Sequence, residues 1–276
     1  MRTVRIVPTA LTLGNLVCGF CAISIVVSGA AGYTSPTLAR VPHLGKWLLE
    51  VQDRQQLNSL ILAGLFVYGA MIFDFLDGRV ARLVGLESRF GAELDSLADL
   101  VTFGVAPAVI AMGFLALENV PRRFAWPMLA VYVACAGLRL ARYNVSKEVT
   151  TTQHFRGLPT PAAAGAAVSW VLLWADLRTA HNEFVGFVIL ALPVVMALLG
   201  MLMVSRVPYL HVGERLAAQR RPMREMAFAL IVIAALVFFY QYAFVVGFNL
   251  YVVLGIASWF VRRFRGGRAR GKAATP

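Results

Sequence analysis

Leu60-Ile-Leu-Ala-Gly-Leu-Phe-Val-Tyr-Gly-Ala-Met-Ile-Phe73 carries no charge and runs without a break into Asp74-Phe-Leu-Asp77-Gly78-Arg79-Val-Ala81-Arg82. The apolar run is worth about 20 Å of helix at roughly 1.5 Å per residue. A bilayer's hydrocarbon core is about 30 Å thick, so Asp74 falls inside the membrane, near one headgroup boundary. Beyond Arg82 and eight further residues stands Gly91-Ala-Glu93-Leu-Asp95-Ser-Leu-Ala-Asp99. Six of the chain's 14 acidic residues thus lie between positions 74 and 99. Carboxylates are expensive near hydrocarbon, and a regularly spaced group of them marks a functional site.

Spacing says how the group is arranged. Positions 74, 77, 78, 81 and 82 share one helix face, and positions 91, 95 and 99 form a stripe on a second helix. Two facing stripes bring four Asp to one space. Four like charges at such range cannot all ionise unless cations sit among them. All-oxygen ligation of this kind suits Mg²⁺ or Mn²⁺. Acids that merely snorkel to water, or that line an ion pathway, would explain neither the small residues Gly78, Ala81 and Gly91 nor the spacing.

Working outward, 59% of the 276 residues are hydrophobic and only 14% are charged, with mean hydropathy +0.71. The fold class is therefore an all-α integral membrane protein. About eight spans are expected, near 9–30, 58–82, 93–117, 124–145, 159–176, 184–205, 226–244 and 247–262. A tight turn around Gly247 to Asn249 would make the last two a hairpin. The first run follows Arg2 and Arg5 as a signal peptide would, but its length and Asn15 favour a retained helix. Short connections argue for one membrane core over 1–225, a C-terminal transmembrane hairpin over 226–263 and a basic flexible tail over 264–276.

With the N-terminus cytoplasmic, 20 of the 26 Lys and Arg fall on the inner side, as the positive-inside rule asks. The acidic stretch then faces the cytoplasm, in a multi-pass protein of the inner (cytoplasmic) membrane. The net charge of +12 caps helices at one face, so anionic membrane lipids rather than nucleic acid are the expected partners. Cys18, Cys21 and Cys135 lie inside spans without metal-ligand spacing and read as small packing residues with no disulfide.

The stretch fits D-x-x-D-G-x-x-A-R-x8-G-x-x-x-D-x-x-x-D without a gap. It resembles the signature of the CDP-alcohol phosphotransferases, membrane enzymes that move a phosphatidyl group from a CDP-linked lipid to an alcohol. The resemblance implies a six-helix core, here with about two extra C-terminal helices. It implies that Asp74, Asp77, Asp95 and Asp99 ligate two divalent ions, Mg²⁺ or Mn²⁺, and that Asp99 also takes the acceptor's proton. Asp74, Gly78, Ala81, Arg82 and Gly91 would bind the CDP-lipid, CDP-diacylglycerol. Family members often pair, so a homodimer is expected by analogy.

Three further stretches are similar to the bacterial phosphatidylserine synthases within that family. They are Pro8-Thr-Ala-Leu-Thr-Leu-Gly14-Asn15-Leu-Val-Cys-Gly19-Phe, Leu138-Arg139-Leu-Ala-Arg142-Tyr-Asn144 and Phe155-Arg-Gly157-Leu-Pro159-Thr160-Pro161. They make L-serine the expected acceptor. Its carboxylate needs a cation, and Arg139 and Arg142 share a helix face; Asn144 and Thr160 are candidates beside them. The same chemistry with glycerol 3-phosphate, an inositol compound or choline stays open. A divalent-cation transporter is the remaining reading from another class, but it would need acids spread through the membrane depth.

Overall fold

The computed structural model describes residues 6–30, 42–84, 89–149, 157–180, 183–205, 207, 209 and 240–272. Among them there is no strand. That is what hydrocarbon imposes, because a spanning segment must satisfy its own backbone hydrogen bonds. The described helices are α1 (Ile6–Ala30), α2 (Pro42–Val84), α3 (Arg89–Asp99), α4 (Ala106–Leu117), α5 (Arg122–Val149), α6 (Thr160–Thr179), α7 (Val185–Val204) and α8 (Tyr240–Lys272). A π-helical segment, Leu100–Val105, joins α3 to α4. Among the described residues, seven stretches are long and apolar enough to cross a membrane: 9–29, 54–80, 90–117, 123–145, 160–179, 185–204 and 242–260.

Small residues let the helices approach closely, which is how apolar helices gain packing energy in lipid. A Cβ on Gly14 would stand 3.2 Å from the Phe73 ring, and one on Gly113 would stand 2.6 Å from Val26 Cγ1. On α7, a Cβ at Gly200 would meet the Tyr132 backbone at 2.9 Å. Gly157 alone among the described glycines needs its freedom for conformation: its φ is +99°, and its N–H donates to Val207 O at 2.8 Å. The core fills with Phe103, Phe114, Tyr132 and Trp174, all fully buried. Phe114 meets Trp174 edge-on, with centroids 4.6 Å apart.

Residues of the acidic motif lie at the end of α2 and along α3. Asp99 reaches Asn15 near the start of α1, and Arg139 near the end of α5 reaches Thr160 at the start of α6. Alternating helix direction thus gathers five helix ends at one end of the bundle. The opposite end is closed by Glu118, which accepts from Trp174 Nε1 at 3.1 Å and pairs with Arg178 at 3.4 Å.

One expectation at the C-terminus needs correction. The turn around Gly247 to Asn249 is absent, because α8 runs through it unbroken. Asn249 is used instead as a helix-bound linker: its Nδ2 donates to Val245 O at 2.8 Å and to Ser169 Oγ at 3.2 Å. A lone Gly in an apolar helix is too weak a breaker to override that. Of the stretch expected to be a flexible tail, 264–272 continues α8; its Arg and Ala favour a helix, whereas Gly266, Gly267 and Gly271 weaken one. The other arm of the expected hairpin falls mostly on 226–239, outside the described residues.

Candidate functional site

The site is built from α2 and α3. Asp74, Asp95 and Asp99 each place one carboxylate oxygen within 4.8 Å of the others. Asp77 joins them from one turn beyond Asp74, within electrostatic reach of Asp74, Asp95 and Asp99. Asp77 and Asp99 are buried, at 5% and 9% exposure. The helical spacing of the sequence therefore brings three carboxylates together, with Asp77 in electrostatic reach of them. The donor set is all carboxylate oxygen, the chemistry that fits a hard divalent cation.

Helix α1 supplies what the acids need to hold their orientation. Thr12 Oγ1 donates to Asp77 Oδ2 at 3.0 Å, and Asn15 Nδ2 donates to Asp99 Oδ1 at 3.0 Å. These donors are themselves buried, at 4% and 0% exposure. Their i, i+3 spacing puts both on one face of α1. That face is locked to the π segment, where Thr102 Oγ1 donates to the Asn15 carbonyl at 3.1 Å. The close approach depends on Gly19, where a Cβ would stand 2.9 Å from Thr102 Cα. On the far side, Tyr132 O–H donates to Phe103 O at 2.8 Å, satisfying a carbonyl of the same segment.

Arg139 belongs to the site. It donates to the fully buried Thr160 hydroxyl, and its guanidinium lies in electrostatic reach of Asp74, Asp99, Tyr143 and Tyr251. Arg142 meets a different neighbour. It is exposed and donates to Val204 O, the last carbonyl of α7, at 3.2 Å. Asn144 is held on the flank of α3, exchanging hydrogen bonds with Ser96 at 3.0 and 3.1 Å and reaching Glu93 at 3.3 Å. Gly78 and Gly91 stand on α2 and α3 beside the acids. Ala81 and Arg82 lie on α2 as well, with side chains outside the described residues.

Thr12 and Asn15 had no assigned role in the sequence reading. The available signal was two polar residues one turn apart in a largely apolar span. The cysteines are free, as the sequence suggested.

An all-helical bundle with a carboxylate cluster at one end defines a polytopic membrane protein built around an acidic intramembrane site. The chain belongs to the CDP-alcohol phosphatidyltransferase family, whose sequence model matches residues 5–199. Among its relatives, the Helicobacter pylori protein named CDP-diacylglycerol–serine O-phosphatidyltransferase is 38% identical over 155 residues, covering 55% of this chain and 61% of that one. Proteins of the same name from Methanocaldococcus jannaschii and Saccharomyces cerevisiae are 39% identical over 153 residues and 48% identical over 108 residues. The first of these matches covers 55% of this chain and 64% of the relative, the second 36% and 37%. The chain thus spans about three fifths of the length of the first relatives it matches.

Proposed function

We propose that the chain transfers a phosphatidyl group from CDP-diacylglycerol to L-serine, giving phosphatidylserine and CMP. The observation that carries this reading is the convergence of Asp74, Asp95 and Asp99 within 4.8 Å in a chain of this family. The shared name of relatives aligned over more than half of this chain supports serine as acceptor.

In this mechanism the serine hydroxyl oxygen bonds to the phosphorus that carries diacylglycerol. The bond from that phosphorus to the bridging oxygen breaks, and CMP leaves with the bridging oxygen. The hydroxyl proton passes to Asp99. Asp74, Asp77, Asp95 and Asp99 would hold two divalent ions, Mg²⁺ or Mn²⁺, which supply neutralisation of the pyrophosphate charge. Thr12 and Asn15 keep two of those carboxylates in one orientation, which spares reorganisation at the moment of reaction. Gly78, Ala81, Arg82 and Gly91 flank the nucleotide, and Arg139 with Thr160 receives the serine carboxylate. The protein works in the cytoplasmic membrane with its site at the cytoplasmic face, and as a homodimer.

The test is CMP release from CDP-diacylglycerol by purified protein in detergent, with L-serine, glycerol 3-phosphate, inositol and choline offered in turn. Release is expected with serine alone, to stop with EDTA and to return with Mg²⁺ or Mn²⁺. Asp74→Asn, Asp77→Asn and Asp95→Asn should each lower kcat/KM at least about a hundredfold, since an amide ligates these ions poorly and removes one compensating charge. Release with a different acceptor would move the assignment within the family. Full activity in a verified metal-free preparation would end the two-ion mechanism.

A further inference from the structure

Asn15 is satisfied at one end of its amide and not at the other. Nδ2 donates to Asp99 Oδ1 at 3.0 Å, while Oδ1 is shut from solvent with no hydrogen-bond partner, and the residue is 0% exposed. Buried polar atoms are rarely left this way, and each one asks for an explanation. The amide cannot simply turn over. An ionised Asp99 only accepts hydrogen bonds, so the NH₂ end faces it and the oxygen takes the other side. Nearby hydroxyls do not fill the gap: Thr12 is committed to Asp77, and Thr102 takes the Asn15 backbone carbonyl.

An amide oxygen in that position calls for a donor or a cation from the substrates. Resting on the serine reading above, we propose that Asn15 Oδ1 receives the ammonium group of the amino-acid acceptor. One amide would then do two jobs: it orients Asp99 and docks the amine of the molecule whose hydroxyl Asp99 deprotonates. Asp99 has Asn15 hydrogen-bonded to it and Arg139 within electrostatic reach. Ammonium on Asn15, hydroxyl on Asp99 and carboxylate on Arg139 define three points around the acceptor's Cα. Three such points select an amino acid over an inositol or a glycerol phosphate, neither of which brings an ammonium. They also explain why the α1 oxygen is left without a partner inside the protein.

The experiment compares two acceptors in the full-length protein: L-serine and 3-hydroxypropanoate, which keeps the hydroxyl and carboxylate but lacks the amine. Asn15→Ala and Asn15→Leu should narrow the kcat/KM preference for serine over 3-hydroxypropanoate by about ten- to a hundredfold, the usual worth of a charge-assisted hydrogen bond. That ratio does not depend on how much of the variant folds, because misfolded protein lowers both terms equally. Asn15→Asp retains an acceptor oxygen but loses the donor to Asp99, so it should keep the serine preference while kcat falls for both acceptors. For a variant too slow to assay, calorimetric titration of the two acceptors in the presence of CMP and Mg²⁺ gives the same ratio as affinities. A wild-type ratio in Asn15→Ala and Asn15→Leu would overturn the proposal. So would an unchanged ratio with weakened Mg²⁺ activation, which would make Oδ1 a metal ligand. If the wild type used neither acceptor, the serine assignment itself would fall, a different result from an active wild type with an unaltered ratio in its variants.

Discussion

Arg139 and Arg142 stand one helical turn apart on α5, and their surroundings separate them. Arg139 points to the buried Thr160 beside the acids, whereas Arg142 is exposed and bonds the last carbonyl of α7. A basic side chain at a helix C-terminus adds only about 0.3–1 kcal/mol there. As the proposed anchor for the serine carboxylate, Arg139 contributes roughly 1.5–3 kcal/mol. Arg139→Ala should therefore raise the KM for serine about ten- to a hundredfold and leave the KM for CDP-diacylglycerol nearly unmoved. Arg142→Ala should leave both constants within about threefold. Steady-state kinetics with each substrate varied in turn checks this, and equal serine effects in the two variants would restore the paired clamp that their spacing suggests. The acids were legible in the sequence because a charge in hydrocarbon needs a reason to be there. Arg142 was not separable from Arg139, since i, i+3 spacing reports a shared face and not which neighbour each side chain finds. Asn144 illustrates the same limit of spacing: its amide is engaged with Ser96 and Glu93, a contact that exists only once α3 and α5 have packed.

The element least legible in the sequence is the π segment. Leu100–Val105 holds nothing but apolar residues, one Thr and one Gly, so a single helix over 93–117 was the natural reading. A π turn adds a residue to the turn and re-phases the helix, and this one begins directly after Asp99. It brings Thr102 against α1 and the Phe103 carbonyl to Tyr132, so the last motif acid sits on a helix held from both sides. The C-terminal helix was misread in a different way. Asn249 next to Gly247 looks like a turn, but in lipid an Asn amide is worth more as a link between helices. It receives Trp170 Nε1 at 3.0 Å and donates to Ser169 at 3.2 Å. Tyr68 stacks on Phe244 with centroids 4.0 Å apart, and Phe248 lies in the gap left by Gly165. This helix lies beyond the family match at 5–199 and packs on α6. Asn249→Leu should destabilise the protein by about 1–2 kcal/mol, in line with interhelical hydrogen bonds in membranes. Chemical denaturation in mild detergent measures it, and a loss under about 0.3 kcal/mol would mean that the aromatic contacts alone hold α8.

At the scale of the whole molecule, helix direction and charge bias make one joint claim. Arg139, the acids and Thr160 share one end of the bundle, while Glu118 and Arg178 share the other. The sequence puts its basic excess on the acidic side, and the proposed reading takes that side as cytoplasmic. Two exposed positions report on the two ends: Val145, at the end of α5 beside Asn144, and Thr179, at the end of α6. Cys18, Cys21 and Cys135 are free and would first be replaced by Ala. In the resulting background, Val145→Cys should react with a membrane-impermeant thiol reagent only in inside-out vesicles, and Thr179→Cys only in right-side-out cells. The reverse pattern would place the acids on the outer side, away from cytoplasmic CDP-lipid and serine, and the proposed reaction could not run there. Labelling of both positions from one side would contradict the helix order itself, because α6 must carry the chain from the Thr160 end to the Thr179 end.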